Sequence, residues 1–144
     1  MQVSRLLEVK GPDVVTASPD DLVSAVAALL ASHRIGAVVV SNDGHGIDGV
    51  VSERDIVRAL ADRGGSALDE SAAAIMTVEV FTCEPGSTVE QLMGLMTDRR
   101  IRHVPVLVDG TLAGIVSIGD VVKDRMNDLE TETKTLHDYI EHGR

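Results

Sequence analysis

The sequence predicts an α/β (α+β) protein, built as two pseudo-symmetric β-α-β-β-α repeats that form one compact module. Three observations carry this. Residues 14–57 and 80–122 align as two copies of one text: Thr16 with Thr82, Pro19 with Pro85, Arg34-Ile35 with Arg100-Ile101, Asp43-Gly44 with Asp109-Gly110, Val51-Ser52 with Val116-Ser117, and Asp55 with Asp120. A repeated supersecondary unit implies related surfaces in duplicate. Within each copy the apolar spacing switches between strand-like runs and helical periodicity. Finally, 144 residues with 44% hydrophobic content suit one domain with an ample core.

The elements follow in order. Asp13–Thr16 and Val80–Cys83 are short β-branched runs ended by a proline turn. Leu22, Val26, Leu29 and Leu30, and later Val89, Leu92, Leu95 and Met96, recur at helical spacing. Asp20-Asp21 and Ser87-Thr88 suit the N-termini of those helices. Ala37–Val40 and Val104–Val108 are buried-type strands, and Asp-Gly turns lead back into Gly49–Val51 and Gly114–Val116, a hairpin signature. A second helix closes each copy. The copies are offset by 66 residues early and 65 late, so the first has one extra residue in its middle turn. Residues 63–73 are the linker, ending in a short helical turn before Ile75-Met76. The last helix is expected from Asp120 to about His142. Its Met126, Leu129, Thr133, Leu136 and Ile140 form one stripe, with Glu130, Glu132, Asp138 and Glu141 on other faces. The expected boundaries are 1–68 for the first repeat with an N-terminal segment and the start of the linker, 69–125 for the second, and 126–144 for the extended helix.

Composition narrows the function. A net charge of −10 repels nucleic acid and anionic membrane. The longest near-apolar runs are too short to span a bilayer. Cys83 is the single cysteine, which leaves no internal disulfide and fits a reducing cytoplasm. No apolar stretch follows a basic start, so no signal peptide is expected. Phe81 and Tyr139 are the only aromatics, leaving little to stack on a planar base.

Gly44-His45-Gly46-Ile47-Asp48-Gly49 spells a dinucleotide fingerprint, but it joins two strands, whereas that motif needs a strand turning into a helix. A hairpin turn is the better reading. Ser52-Glu53-Arg54-Asp55 and Ser117-Ile118-Gly119-Asp120 each follow a strand and open a helix. Such a segment caps a helix, with Ser as N-cap and the acid three residues on. The same carboxylate can accept hydrogen bonds from a cis-diol, and the exposed N–H groups can meet a phosphate. Arg99-Arg100-Ile101-Arg102-His103 is a basic cluster. Arg99 and Arg100 suit a helix C-terminus, but Arg102 and His103 lie beyond it, where the first copy has Gly36 and Ala37. In an acidic protein that asymmetry suggests an anion site, with solvated surface as the competing reading. No nucleophile elbow, Walker-type loop or metal-ligand spacing occurs, and Cys83 reads as a small core residue. No catalysis and no metal are expected.

These residues resemble a tandem pair of cystathionine-β-synthase (CBS) domains over roughly residues 5–125. The resemblance rests on the two β-α-β-β-α copies ending Gly-aliphatic-aliphatic-Ser-x-x-Asp, and on Ile75-Met76-Thr77, Arg100–Val106 and Gly114–Asp120. It implies a regulatory module that binds AMP, ADP, ATP, NAD(H) or S-adenosylmethionine in clefts between the copies. Asp55 and Asp120 would then hold ribose, with Ser52 and Ser117 beside ribose or phosphate. Ile35, Gly36 and Ala37 would face adenine in the Asp120 cleft, and Val78, Ile101 and Arg102 in the Asp55 cleft. His103 would face a phosphate, and Arg54 belongs to the same ligand-contacting set. Val39 in place of Pro105, and the longer first turn, separate the copies. The expected protein is a cytoplasmic energy or redox sensor without catalysis, with no catalytic cofactor. It would be a homodimer through its outer helices and would act on an unidentified regulated protein. The alternative is a ligand-independent dimerisation or scaffold module whose Ser-x-x-Asp segments only cap helices.

Overall fold

Each repeat folds its own small sheet. The structure is a computed structural model and describes residues 1–11 and 14–142, with the side chains of 141 and 142 set aside. In the first repeat β1 (Thr16–Ala17) runs parallel to β2 (Ala37–Val40), and β2 pairs antiparallel with β3 (Gly49–Ser52). Asp13, expected to open the first strand, lies outside the described residues. All four residues of β2 are buried, which explains their unbroken apolar run.

In the second repeat β4 (His103–Val108) pairs antiparallel with β5 (Thr111–Ser117), His103 opposite Ser117 and Val108 opposite Thr111. Asp109 (φ 52°) and Gly110 (φ 79°) form the two-residue turn between them. Positive φ at both positions is what a type I′ hairpin requires. The expected strand over Val80–Cys83 shrinks to one parallel bridge, Cys83 to Val106. Thr77, just upstream, exchanges both backbone hydrogen bonds with Val50 at 2.9 Å, drawing the chain toward the first repeat.

Helices cover the sheets: α2 (Val23–His33) and α3 (Glu53–Arg63) in the first repeat, α5 (Val89–Arg99) and α6 (Ile118–His142) in the second. Thr88 and Gln91 form a capping box at α5. Asp20-Asp21 do not cap α2, whose N-cap is Leu22 without a side-chain bond; Asp21 instead accepts from the Ser18 N–H in the preceding turn. α2 and α5 end alike, at Arg34 (φ 54°) and Arg100 (φ 55°), both left-handed.

The two cores exchange their leading segments. α1 (Val3–Lys10), an element the sequence did not announce, buries Val3 and Leu6 among Val89, Leu92, Val104 and Val116 of the second repeat. The linker, a 3-10 segment (Gly64–Asp69) and α4 (Ala72–Ile75), packs Leu68, Ala72 and Ile75 onto Val23, Val26, Val38 and Val51 of the first. Each fully buried valine contributes about 1.5–3 kcal/mol of apolar transfer, so this exchange ties the repeats together. The His45 carbonyl, which accepts from the Leu112 N–H at 2.7 Å, adds a backbone link.

Candidate functional site

A cleft of about 570 Å³ opens between the repeats. One wall is the end of β3 and the start of α3, carrying Ser52, Arg54, Asp55 and Arg58. The facing wall is the end of α5 and the start of β4, carrying Arg99 to His103. Gly36, Ala37 at the start of β2, and Thr77, Glu79, Val80 and Phe81 of the segment after α4 complete it.

Helix capping positions the first wall. Ser52 Oγ accepts from the Asp55 N–H at 3.3 Å, and Asp55 Oδ2 accepts from the Ser52 N–H at 2.8 Å. The capping reading therefore holds here. It leaves room for a second role, because a carboxylate offers about four acceptor sites. Asp55 Oδ1 also accepts from Thr77 Oγ1 at 3.1 Å, and the half-buried carboxylate still lines the cleft. Ile101, Val80 and Ala37 supply apolar surface. Phe81 lines the cleft as well, with the Arg99 guanidinium 4.8 Å from its ring centroid.

The pseudo-symmetric site around Asp120 is built differently. Its capping box repeats, with Asp120 Oδ2 accepting from the Ser117 N–H at 2.8 Å and Ser117 Oγ accepting from the Asp120 N–H at 3.1 Å. However, Lys10 Nζ of α1 donates to Asp120 Oδ2 at 2.8 Å and to the Ile115 carbonyl at 2.6 Å. Leu7 presses on Gly114, where an added Cβ would stand 2.6 Å from its Cδ2. Partial burial works to raise the Asp120 carboxyl, but the Lys10 ammonium and the Ser117 N–H outweigh it and hold the group below its ordinary value.

His103 lies at the junction of the two sites. Its ring packs on Gly36, where an added Cβ would stand 3.2 Å from both Cε1 and Nε2. Burial lowers its pKa first, Lys10 and Arg102 push the same way, and Glu53 and Asp120 oppose them. The net direction is down, so the ring is neutral at pH 7.

Of the residues expected from sequence, the structure brings Ser52, Arg54, Asp55, Gly36, Ala37, Ile101, Arg102 and His103 into one cleft. Gly36 and Ala37, expected beside Asp120, line the Asp55 cleft. Val78 is 70% exposed and lies outside the cleft lining. Ile35 packs against the first core, and Ser117 and Asp120 sit with Lys10. Thr77, Arg58 and Lys10 were missed. The 66-residue offset was the available signal for Lys10, because it places that residue opposite Met76, in the segment that covers the other repeat. Cys83 is half-buried and its thiol is pushed up to about 11, by burial first and by Glu84 second, which leaves it protonated and unreactive. Among the described residues no group of His, Cys, Asp and Glu is placed to hold a metal ion. No helix there is long and apolar enough to cross a membrane.

Comparison with known proteins gives a consistent family. The CBS domain family matches residues 7–62 and 72–127. A mitochondrial CBS domain-containing protein of Arabidopsis thaliana, CBSX3, is 38% identical over 128 residues, covering 86% of this chain. The chain spans 62% of that relative's length, and 60% of the length of an uncharacterized Methanopyrus kandleri relative. The crystal structure of the CBS-domain protein ATU1752 from Agrobacterium tumefaciens is 49% identical, with a TM-score of 0.83 over 87% of this chain and 99% of that one. The CBS domain pair of MJ0100, solved in complex with 5-methylthioadenosine and S-adenosyl-L-methionine, shares the fold at a TM-score of 0.78 and 24% identity, over 89% of this chain and 98% of that one.

Proposed function

This chain belongs to the CBS-domain family, and from that premise we propose that it is a regulatory module without catalysis that binds an adenosine nucleotide in the Asp55 cleft and passes the signal to a protein partner. The observation that carries the reading is the juxtaposition of a carboxylate at a helix start with a facing wall of cations across an apolar floor. In this reading Asp55 accepts from the ribose hydroxyls, using acceptor capacity beyond its capping bonds. Ala37, Val80 and Ile101 offer aliphatic surface to adenine, and the arginines face phosphate. A cleft of this size suits a ligand of nucleotide dimensions.

One observation favours the scaffold reading: both Ser-x-x-Asp segments are complete capping boxes with no ligand needed. Thermal unfolding of the purified chain with AMP, ADP, ATP, NADH and S-adenosylmethionine separates the two. A ligand at about 100 times its Kd stabilises the fold by about 2.7 kcal/mol. Absence of any shift with nucleotide-free protein would leave the scaffold.

In this reading the working unit is a cytoplasmic homodimer. Leu22 (48%), Val57 (63%) and Val122 (50%) are apolar side chains left exposed on or beside the outer helices, and they suit an isologous helix contact.

A further inference from the structure

We propose that the Asp55 cleft selects adenosine ligands carrying more than one phosphate over a monophosphate, and rejects cationic adenosyl compounds. This rests on the nucleotide reading above and names its ligand class. The observation is an excess of cations over acids in the cleft, held there without ion pairs among the described residues. Acids outnumber Lys and Arg by 23 to 13, yet five of those thirteen cations, Arg54, Arg58, Arg99, Arg100 and Arg102, line this one cleft. Arg5, Lys10, Arg63 and Arg125 each find a carboxylate within 4.0 Å. Among the described residues none of the five cleft arginines does.

Helix electrostatics accounts for only part of this. Arg99 and Arg100 complete α5 at its negative end. Arg54 stands in the first turn of α3, where the macrodipole disfavours a cation, and Arg58 follows one turn later on the same face. A like-charged pair at that spacing destabilises a helix. Arg102 lies past the end of α5. Two arginines on one wall therefore face three on the other, against three acids in the lining: Glu53, Asp55 and Glu79. A single phosphate brings at most about two negative charges to five guanidinium groups. A di- or triphosphate carries more charge, and its oxygens match the guanidinium fork. S-adenosylmethionine, with its sulfonium, adds positive charge to a positive cleft.

Calorimetric titration of the full chain with AMP, ADP, ATP and S-adenosylmethionine, without divalent cations, tests this. The expected order of affinity is ATP, ADP, AMP, then S-adenosylmethionine, with ATP at least about tenfold tighter than AMP. Raising salt from about 0.05 to about 0.5 M should narrow that ratio at least threefold, because exposed charges are then screened. Arg58→Ala and Arg102→Ala should each reduce the ratio at least threefold, while Arg125→Ala, outside the cleft, should leave it unchanged. AMP binding as tightly as ATP, S-adenosylmethionine binding best, or a ratio indifferent to both arginine variants would overturn the proposal while leaving the nucleotide reading in place. Binding of none of the four, together with no thermal shift from NADH, would overturn both.

Discussion

Lys10 and Asp120 form an ion pair at 2.8 Å across 110 residues of sequence, and it occupies the carboxylate that mirrors Asp55. The same ammonium holds the Ile115 carbonyl, and both partners are about one-third exposed. The duplicated sites are thereby made unlike: Asp55 faces an open cleft and a threonine hydroxyl, while Asp120 faces a built-in cation.

Lys10→Ala should cost about 1 kcal/mol of stability, since a part-exposed pair is worth less than a buried one. Asp120→Asn added to it should cost little more, the signature of a coupled pair in a double-mutant cycle. On the proposed function, wild type binds one nucleotide per chain, and Lys10→Ala admits a second, weaker event by calorimetry. A single event in both would assign Lys10 to structure alone.

Asp55→Ala separates capping from binding. Loss of the capping box should cost about 0.5–2 kcal/mol in a denaturant titration. Loss of a charge-assisted contact to ribose should cost a further 1.5–3 kcal/mol, roughly, of nucleotide affinity. Lower stability with unchanged affinity would favour the scaffold reading.

His103 makes apo stability depend on pH. Its folded pKa lies below 6.5, so the unfolded chain takes up the proton first as pH falls. Stability is complete above about pH 6.5 and is lost as pH drops from there through the folded value. Asp120, with its depressed pKa, continues the loss below 3.8. His103→Gln should flatten the upper part of this profile in thermal unfolding between about pH 4.5 and 7.

Arg34 and Arg100 both sit in left-handed conformations that favour glycine. Arg34→Gly and Arg100→Gly should each relieve about 1 kcal/mol of backbone strain. Only Arg100→Gly should weaken nucleotide binding, because Arg100 lines the cleft and Arg34 does not. Equal binding in both variants would remove Arg100 from the site.

Light scattering should return twice the 15.3 kDa chain mass. Truncation after Lys123 removes exposed Met126, Leu129, Leu136 and Ile140 and tests whether the α6 tail takes part. A monomer before truncation would reject the helix interface.

By itself the sequence determined what short-range physics encodes. The helical stripes, the Asp-Gly turns and the two Ser-x-x-Asp caps were legible because each depends on residues a few positions apart. The 66-residue echo made the pseudo-symmetry legible as well. Tertiary structure decided the rest. Val80–Cys83 has the residues of a strand but keeps only the Cys83 bridge, while Thr77, just upstream, is bonded to Val50 across the repeats. The joining of Arg54 and Arg58 with Arg99 and Arg102 depends on how two walls from different repeats face each other. Lys10 shows the limit most clearly. Nothing near it in sequence marks it as a partner for Asp120; the packing of Val3 and Leu6 into the second core carries α1 there. Apolar burial is non-directional and acts at any sequence distance, so it sets contacts that no local spacing can announce.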